Sequence, residues 1–169
     1  MRLLFPILVL CMAAILLLPR FDSKPEQPEW QGRLLPALHA TPLDKMEAEP
    51  IVIQGLTLIN LFASWCPPCL AEHPQLRTLA EDHDLTIIGI AWNDTPDALV
   101  AYMRDHGNPY AAVYIDHTGG TASSLHVKGI PESFLVGPDG RILYHFAGPL
   151  DAERVRRDVL PLLERSHEP

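Results

Sequence analysis

The stretch that decides the fold reads FASWCPPCLAEHP, residues 62–74, and it holds two of the three cysteines of the chain, Cys66 and Cys69. A cysteine pair with this spacing can bind a metal, form a structural disulfide or exchange electrons with a partner. Each of these sites needs different neighbouring residues, so the surrounding sequence distinguishes between them.

A metal site and a purely structural disulfide both fit the stretch poorly. Structural zinc needs four ligands, whereas the third cysteine, Cys11, lies in a distant apolar run and no histidine pair has zinc-finger spacing. The loop that Cys66 and Cys69 would close is very short, so a disulfide there removes little entropy from the unfolded chain.

A redox role explains more of the stretch. The sequence predicts a helix that begins at Pro67, because proline is tolerated in the first helical turn. Cys66 then precedes a helix N-terminus, whose free N–H groups and dipole stabilise a thiolate, and Cys69 lies one turn further on, where it can resolve a mixed disulfide. Trp65 either covers one side of the pair or packs as an ordinary aromatic residue.

The flanking sequence predicts an α/β domain. Apolar runs at 56–62 and 85–92 are typical of strands buried on both faces, and the intervening helix is expected at 67–82. The remaining expected elements are a helix at 94–107 capped by Thr95, a strand at 111–116, a short helix at 121–126, a hairpin at 132–146 and a helix from Asp151 that bends at Pro161. This order predicts a central mixed β-sheet flanked by helices, and a Cys-x-x-Cys after its first strand predicts a thioredoxin-like fold.

The N-terminal segment indicates export. Residues 3–19 carry no charged or polar side chain and are nearly long enough, as a helix, to cross the hydrocarbon core. The run ends without the small residues of a cleavage site, so a signal anchor over residues 1–20 is favoured over a cleaved signal peptide. We therefore expect a single-pass inner-membrane protein with a tether at 21–33 and a periplasmic domain at 34–169. The 21 acidic against 13 basic residues argue against a nucleic-acid partner.

Several blocks of the sequence resemble known proteins. WCPPC, Pro74 and GIPES (129–133) are similar to the thioredoxin superfamily. WCPPCLAEHP, HGNPYAAVYID and VKGIPESFLVGPDGRILYHFAGPL, together with the N-terminal anchor, more narrowly resemble the membrane-tethered thiol:disulfide reductases of cytochrome c maturation, the CcmG or DsbE type. This resemblance spans roughly residues 34–164.

The resemblance implies roles for particular residues. Cys66 would be the nucleophile and Cys69 the resolving thiol, with Pro131 as a cis-proline beside the disulfide. Glu72 and Glu132 match the acidic residues that the family places near the sulfurs. Neither a cofactor nor a metal is implied.

Proton handling at Cys69 is expected to differ from that in thioredoxin. Asn60 stands where thioredoxin has a buried aspartate, so Glu72 is the candidate proton acceptor. Carboxylates near the sulfurs disfavour the thiolate, which predicts a reductant, unless Glu72 and Glu132 are merely solvated charges. The other histidines, His145 among them, are assigned no role.

The resemblance also implies partners. The substrate would be apocytochrome c or its carrier in the maturation pathway, and a membrane thiol reductase would donate electrons to the oxidised site. Two other functions remain open: a general exported reductase for other partners, and a Cu(I) chaperone that uses Cys66, Cys69 and His73 or a methionine.

Overall fold

The computed structural model describes residues 30–83 and 85–166. The predicted anchor over residues 1–20 and most of the predicted tether lie outside the described residues. Within the two described ranges, no helix combines the length and the apolar character needed to cross a membrane.

The described residues form a seven-stranded mixed sheet. Its strands are β1 (His39–Pro42), β2 (Glu49–Pro50), β3 (Thr57–Phe62), β4 (Thr86–Trp92), β5 (Ala112–Asp116), β6 (Glu132–Val136) and β7 (Ile142–Ala147), in the spatial order β2-β1-β5-β4-β3-β6-β7. Strands β3, β4 and β5 are parallel, as their alternation with helices requires, and β6 and β7 form the expected hairpin. Strands β1 and β2 were not predicted from the sequence.

The helices begin and end close to their expected positions. They are α1 (Pro67–Asp82), α2 (Pro96–His106) and α3 (Gly120–Ser124), followed by a C-terminal helical segment. Thr95 caps α2 by accepting a hydrogen bond from the backbone N–H of Ala98, and Gly107 follows its last residue with a φ of 84°. Pro74 lies inside α1, as the sequence predicts.

The C-terminal segment is divided where a bend was expected. Asp151 caps α4 (Ala152–Arg154), which continues as a π-helical turn (Val155–Val159) and then as α5 (Leu160–Ser166). The widened turn comes directly before Pro161, whose ring nitrogen has no hydrogen to donate to the preceding turn.

The two faces of the sheet carry separate parts of the core. On β3, Leu58 and Phe62 pack into the cluster that includes α1 and the C-terminal helices, whereas Ile59 and Leu61 pack on the opposite face. Asn60 alternates with these residues, so it shares the face of Leu58 and Phe62. A polar side chain is thereby buried on the face that carries the cysteine pair.

Candidate active site

Cys66 and Cys69 are joined by a disulfide at the start of α1, with their Cα atoms 5.3 Å apart. Cys66 is the N-cap residue, and its Sγ accepts a hydrogen bond from the backbone N–H of Cys69 at 3.2 Å. Both cysteines are buried. The expected helix start at Pro67 is confirmed, and it places the first sulfur among the free N–H groups of the helix terminus.

The loop that precedes the disulfide is held by a carboxylate from another strand. Asp94 follows β4 and accepts hydrogen bonds from the backbone N–H of Ser64 at 2.6 Å and from its hydroxyl at 2.9 Å. Trp65 is 58% exposed, and its indole N–H donates to the backbone carbonyl of Asn93 at 3.1 Å. The indole lines a surface cavity of about 280 Å³ with Trp92, Asn93, His117, Thr118 and Gly119. Trp65 therefore borders the disulfide and is not an ordinary core residue.

The loop before β6 approaches the disulfide from the other side. The Ile130–Pro131 peptide bond is cis, as the resemblance implies. The carbonyl oxygen of Ile130 lies 3.8 Å from Sγ of Cys66. Pro131 is therefore placed beside the expected nucleophile, although the two are far apart in the chain.

Glu132 is paired. Its Oε1 accepts a hydrogen bond from the backbone N–H of Lys128 at 3.0 Å, and its Oε2 lies 2.7 Å from Nε2 of His145. The His145 ring stacks on Phe134 with centroids 4.4 Å apart. Glu132 is only 6% exposed, so its interpretation as a solvated charge is wrong. Its carboxylate closes the loop that contains Pro131.

Glu72 is almost completely buried, at 1% exposure, one helical turn after Cys69. Its Oε1 accepts from the side-chain amide of Asn60 at 2.8 Å, and its Oε2 accepts from the backbone N–H of Leu150 at 2.7 Å. Burial raises the pKa of Glu72 to about 7, and the two hydrogen bonds and the charge of Arg154 act in the opposite direction. Glu72 can therefore bind or release a proton near neutral pH.

The family relationship follows from sequence comparison as well as from this geometry. The family model described as Redoxin matches residues 40–160. The chain belongs to the redoxin family. Within it, the chain belongs with the thiol:disulfide interchange proteins of the DsbE type. It is 33% identical over 150 residues to the Haemophilus influenzae thiol:disulfide interchange protein DsbE, covering 87% of this chain and 82% of that protein.

Other relatives are matched over a smaller part of their length. This redoxin is 45% identical over 111 residues to the thiol:disulfide interchange protein CycY of Rhizobium leguminosarum, which is 66% of this chain and 60% of CycY. It is 38% identical to a DsbE homolog of Paracoccus denitrificans, over 73% of this chain and 65% of that protein. The chain thus spans less than two thirds of the length of these two relatives.

Solved structures confirm the fold. A thiol-disulfide oxidoreductase from Bacteroides fragilis superposes with a TM-score of 0.65 at 20% identity, over 78% of this chain and all of that one. StoA from Bacillus subtilis gives 0.58 at 22% identity, over 73% and 97% of the two chains. The expected thioredoxin-like fold, with a mixed sheet flanked by helices, is therefore confirmed.

Sequence reasoning singled out Asn60 but missed the contacts that hold Glu72 in this redoxin. Asn60 also donates to the hydroxyl of Ser133 at 3.0 Å, and its Oδ1 accepts from the hydroxyl of Tyr110 at 3.0 Å. Burial raises the pKa of Tyr110 well above its usual value, so its hydroxyl stays a donor. These contacts fix the orientation of the amide, with its N–H groups toward Glu72. The only sequence signal was Asn60, a polar residue inside an apolar strand.

His73 follows Glu72 but is engaged elsewhere. Its Nε2 lies 2.9 Å from the carbonyl oxygen of Gly107, which can only accept, so Nε2 carries the hydrogen. Nδ1 then accepts from the hydroxyl of Tyr102 at 3.1 Å. Burial lowers the pKa of His73, which keeps the ring neutral. Among the described residues no group of three or more His, Cys, Asp or Glu side chains is placed to hold a metal ion.

Proposed function

We propose that this redoxin is a membrane-tethered periplasmic thiol:disulfide reductase that reduces disulfides of apocytochrome c or of its carrier. The observation that carries the proposal is the pairing of a disulfide at a helix N-terminus with a buried carboxyl, Glu72, one turn beyond Cys69. The family relationship supports the disulfide chemistry, and the resemblance to the cytochrome c maturation reductases supports the choice of substrate.

The first step uses Cys66. In the reduced protein, the N–H of Cys69 that now bonds to Sγ of Cys66 would stabilise a thiolate at the same atom. That thiolate attacks one sulfur of the partner disulfide, forms a mixed disulfide and releases the other partner sulfur as a thiolate, which takes a proton from solvent. The partner has then gained one thiol and is joined covalently to Cys66.

The second step needs a thiolate at Cys69, which is buried. Glu72 is the group placed to accept its proton, because the two residues share one face of α1 and the pKa of Glu72 is about 7. The Cys69 thiolate attacks Sγ of Cys66, the mixed disulfide breaks, and the second partner sulfur leaves as a thiolate. Two electrons have passed to the partner, and the Cys66–Cys69 disulfide is restored.

The direction of transfer follows from charge near the sulfurs. When Glu72 is ionised, its negative charge disfavours a thiolate nearby, so the dithiol is less stable relative to the disulfide. The carboxylate of Glu132 is held by His145 and by the backbone of Lys128, whereas Glu72 lies one helical turn from Cys69, so Glu72 is the carboxyl assigned this effect. A membrane thiol reductase is the proposed source of electrons, since the periplasm is oxidising.

The proposed location rests on residues 1–33. The uncharged run at 3–19 would form the single inner-membrane span, and 21–33 would tether a catalytic domain at 34–169 in the periplasm. Tethering would keep the domain near a membrane-embedded electron donor.

The test is to trap the mixed disulfide in the full chain. C69S removes the resolving thiol, so we expect it to accumulate a covalent complex with apocytochrome c or its carrier that reducing agent releases. C66S is the matched control and should trap nothing. A mixed population of exported proteins on C69S would instead identify a general reductase, and equal trapping by both variants would overturn the assignment of the nucleophile.

A further inference from the structure

The turn between β7 and α4 contacts two parts of the active site. The backbone N–H of Gly148 donates to the carbonyl oxygen of Pro131 at 3.0 Å. Two residues later, the backbone N–H of Leu150 donates to Oε2 of Glu72 at 2.7 Å. The turn 147–150 therefore joins the cis-proline loop to the buried carboxyl, and a shift of the turn would change both contacts.

One side chain holds this turn from its outer side. Nη1 of Arg154 donates to the carbonyl oxygen of Ala147 at 2.7 Å and lies 3.3 Å and 3.4 Å from those of Gly148 and Pro149. Arg154 is itself fixed, because its backbone N–H donates to the carboxylate of the capping residue Asp151 at 2.8 Å. Three successive carbonyl groups thus converge on a single guanidinium nitrogen.

The guanidinium is also held by its surroundings. It lies over the ring of Phe146 at 5.6 Å from the centroid, and its Nε is 3.9 Å from the carboxylate of Asp158. The side chain is 25% exposed, so solvent screens it only in part. Gly148 has a φ of 80°, a backbone conformation that residues with a side chain rarely adopt. The shape of the turn that Arg154 contacts therefore depends on glycine at this position.

Arg154 also acts on Glu72 through charge. Its positive charge lowers the pKa of Glu72, as do the hydrogen bonds from Asn60 and Leu150, against the larger effect of burial. Burial raises the pKa of Tyr102 to about 12 and that of Tyr110 well above its usual value, and the negative charge of Glu72 adds a smaller increase to each. Of the groups that lower the pKa of Glu72, Asn60 and the backbone of Leu150 are neutral hydrogen-bond donors, and Arg154 is a cation. Two other titratable residues of the site, Glu132 and His145, contact each other.

We propose that Arg154 is a positioning residue of the active site. Its guanidinium fixes the turn 147–150 against both Pro131 and Glu72, and together with its charge this favours the ionised carboxylate of Glu72. The inference rests on the proposed function only in that Glu72 accepts the proton of Cys69 there. The positioning by Arg154 is a property of the oxidised protein itself.

The test uses the oxidised protein, in which neither cysteine titrates. The variants are R154M, which keeps most of the aliphatic stem, and R157M, a matched control whose guanidinium contacts the carboxylates of Asp158 and Glu153 instead of the turn. Carbon-13 NMR of the side-chain carboxyls, assigned with E72Q, follows the titration of Glu72. We expect its pKa to rise by about half a unit or more in R154M, because a partly screened cation and a fixed donor are both lost. In R157M it should stay at the wild-type value.

Amide hydrogen exchange provides the second readout. Exchange at Gly148 and Leu150 should become about tenfold faster in R154M than in R157M, whereas amides of the central strand β4 should be unaffected. Should R154M fail to fold, R154K serves, because a lysine keeps the charge but has no planar guanidinium to lie over the Phe146 ring while it bonds to the turn carbonyls. Its turn amides should then also exchange faster.

Titration and exchange curves of R154M that coincide with those of R157M would overturn the proposal. That outcome differs from failure of the proposed function, which would appear as an absence of mixed-disulfide trapping in C69S with a normal Glu72 titration.

Discussion

Asn60 donates a hydrogen bond from Nδ2 to Oε1 of Glu72 at 2.8 Å, and this bond joins strand β3 to helix α1 next to Cys69. By the resemblance to thioredoxin, a buried aspartate would stand at position 60. In this redoxin the strand supplies a neutral donor and the helix supplies the carboxyl. In the proposed mechanism, the group that accepts the proton lies on the helix that carries both cysteines, and its hydrogen-bond partner Asn60 lies on the strand.

The first prediction concerns stability and pH. The pKa of Glu72 is raised from 4.5 to about 7 in the folded protein, so between these values the folded state holds a proton that the unfolded state has released. This contribution to stability is fully present below the lower pKa and is lost as the pH rises through the upper one, a loss of about 3 kcal/mol. The unfolding free energy of oxidised wild type, minus that of E72Q, should fall by this amount between about pH 4.5 and pH 8 in urea titrations.

The slope of that difference is the diagnostic quantity, because the glutamine amide must turn one N–H toward Asn60 or Leu150 and so adds a cost that is independent of pH. E81Q, a change at an exposed carboxylate on the same helix, is the control and should parallel wild type. Parallel curves for wild type and E72Q would show that Glu72 does not titrate in this range.

The second prediction tests the support behind Asn60. Y110F removes the hydroxyl that donates to Oδ1 of Asn60 at 3.0 Å, while the ring keeps its stack on Phe62 at a centroid distance of 4.7 Å. The amide oxygen is then buried without a donor, which should lower the unfolding free energy by about 1–3 kcal/mol. Y144F, at a partly buried tyrosine of β7, should stay within about 0.5 kcal/mol of wild type. Equal effects of the two variants would contradict the role assigned to the Tyr110 hydroxyl.

The parts of the fold that sequence predicted are those decided by nearby residues. The start of α1 depends on Pro67 and Pro68, and the cap of α2 depends on Thr95 and the three residues that follow it. Each signal lies within a few residues of the helix start that it determines, so the sequence alone reveals it. The buried strands β3 and β4 were equally predictable, because continuous apolar runs of this kind are typical of strands that are buried on both faces of a sheet.

The contacts of Glu72 could not be predicted from nearby residues in this way. Its two donors belong to residues 60 and 150, which reach it only because β3 and the turn after β7 converge on one face of the sheet. His145 was likewise assigned no role, because its contact with Glu132 depends on the register of β6 and β7. Strand β1 has four residues and β2 only two, and each contains a proline, Pro42 and Pro50. Runs this short give no recognisable strand signal in the sequence.

The third prediction concerns Gly89, which lies opposite Asn60 in the pairing of β3 with β4. An added Cβ there would come within 2.9 Å of the rings of Phe62 and Tyr110. G89A should therefore lower the unfolding free energy by about 1–3 kcal/mol through overpacking. G129A, where nothing lies within 4 Å of the new Cβ, is the control and should change it by less than about 0.5 kcal/mol. A neutral G89A would mean that the Tyr110 ring is free to move away.

The fourth prediction concerns the pair formed by Glu132 and His145. H145F keeps an aromatic ring to stack on Phe134 but removes the Nε2 donor that lies 2.7 Å from Oε2 of Glu132. The nearly buried carboxylate loses one of its two partners, so the unfolding free energy should fall by about 1–3 kcal/mol.

The same change should affect catalysis, because the other oxygen of Glu132 holds the backbone of Lys128 and thereby the loop that contains Pro131. A loosened loop presents the carbonyl of Ile130 less reproducibly beside Sγ of Cys66, so reduction of a protein disulfide should slow by about tenfold. Reduction of a small symmetrical disulfide, which needs Cys66 but little of the loop, should change much less. H145Q separates the donor from the stack, since its amide can reach the position of Nε2 without an aromatic ring. If the hydrogen bond is what matters, H145Q restores most of the protein-disulfide activity that H145F loses. An H145F variant that reduces protein disulfides as fast as wild type would show that the hydrogen bond to Glu132 does not hold the loop.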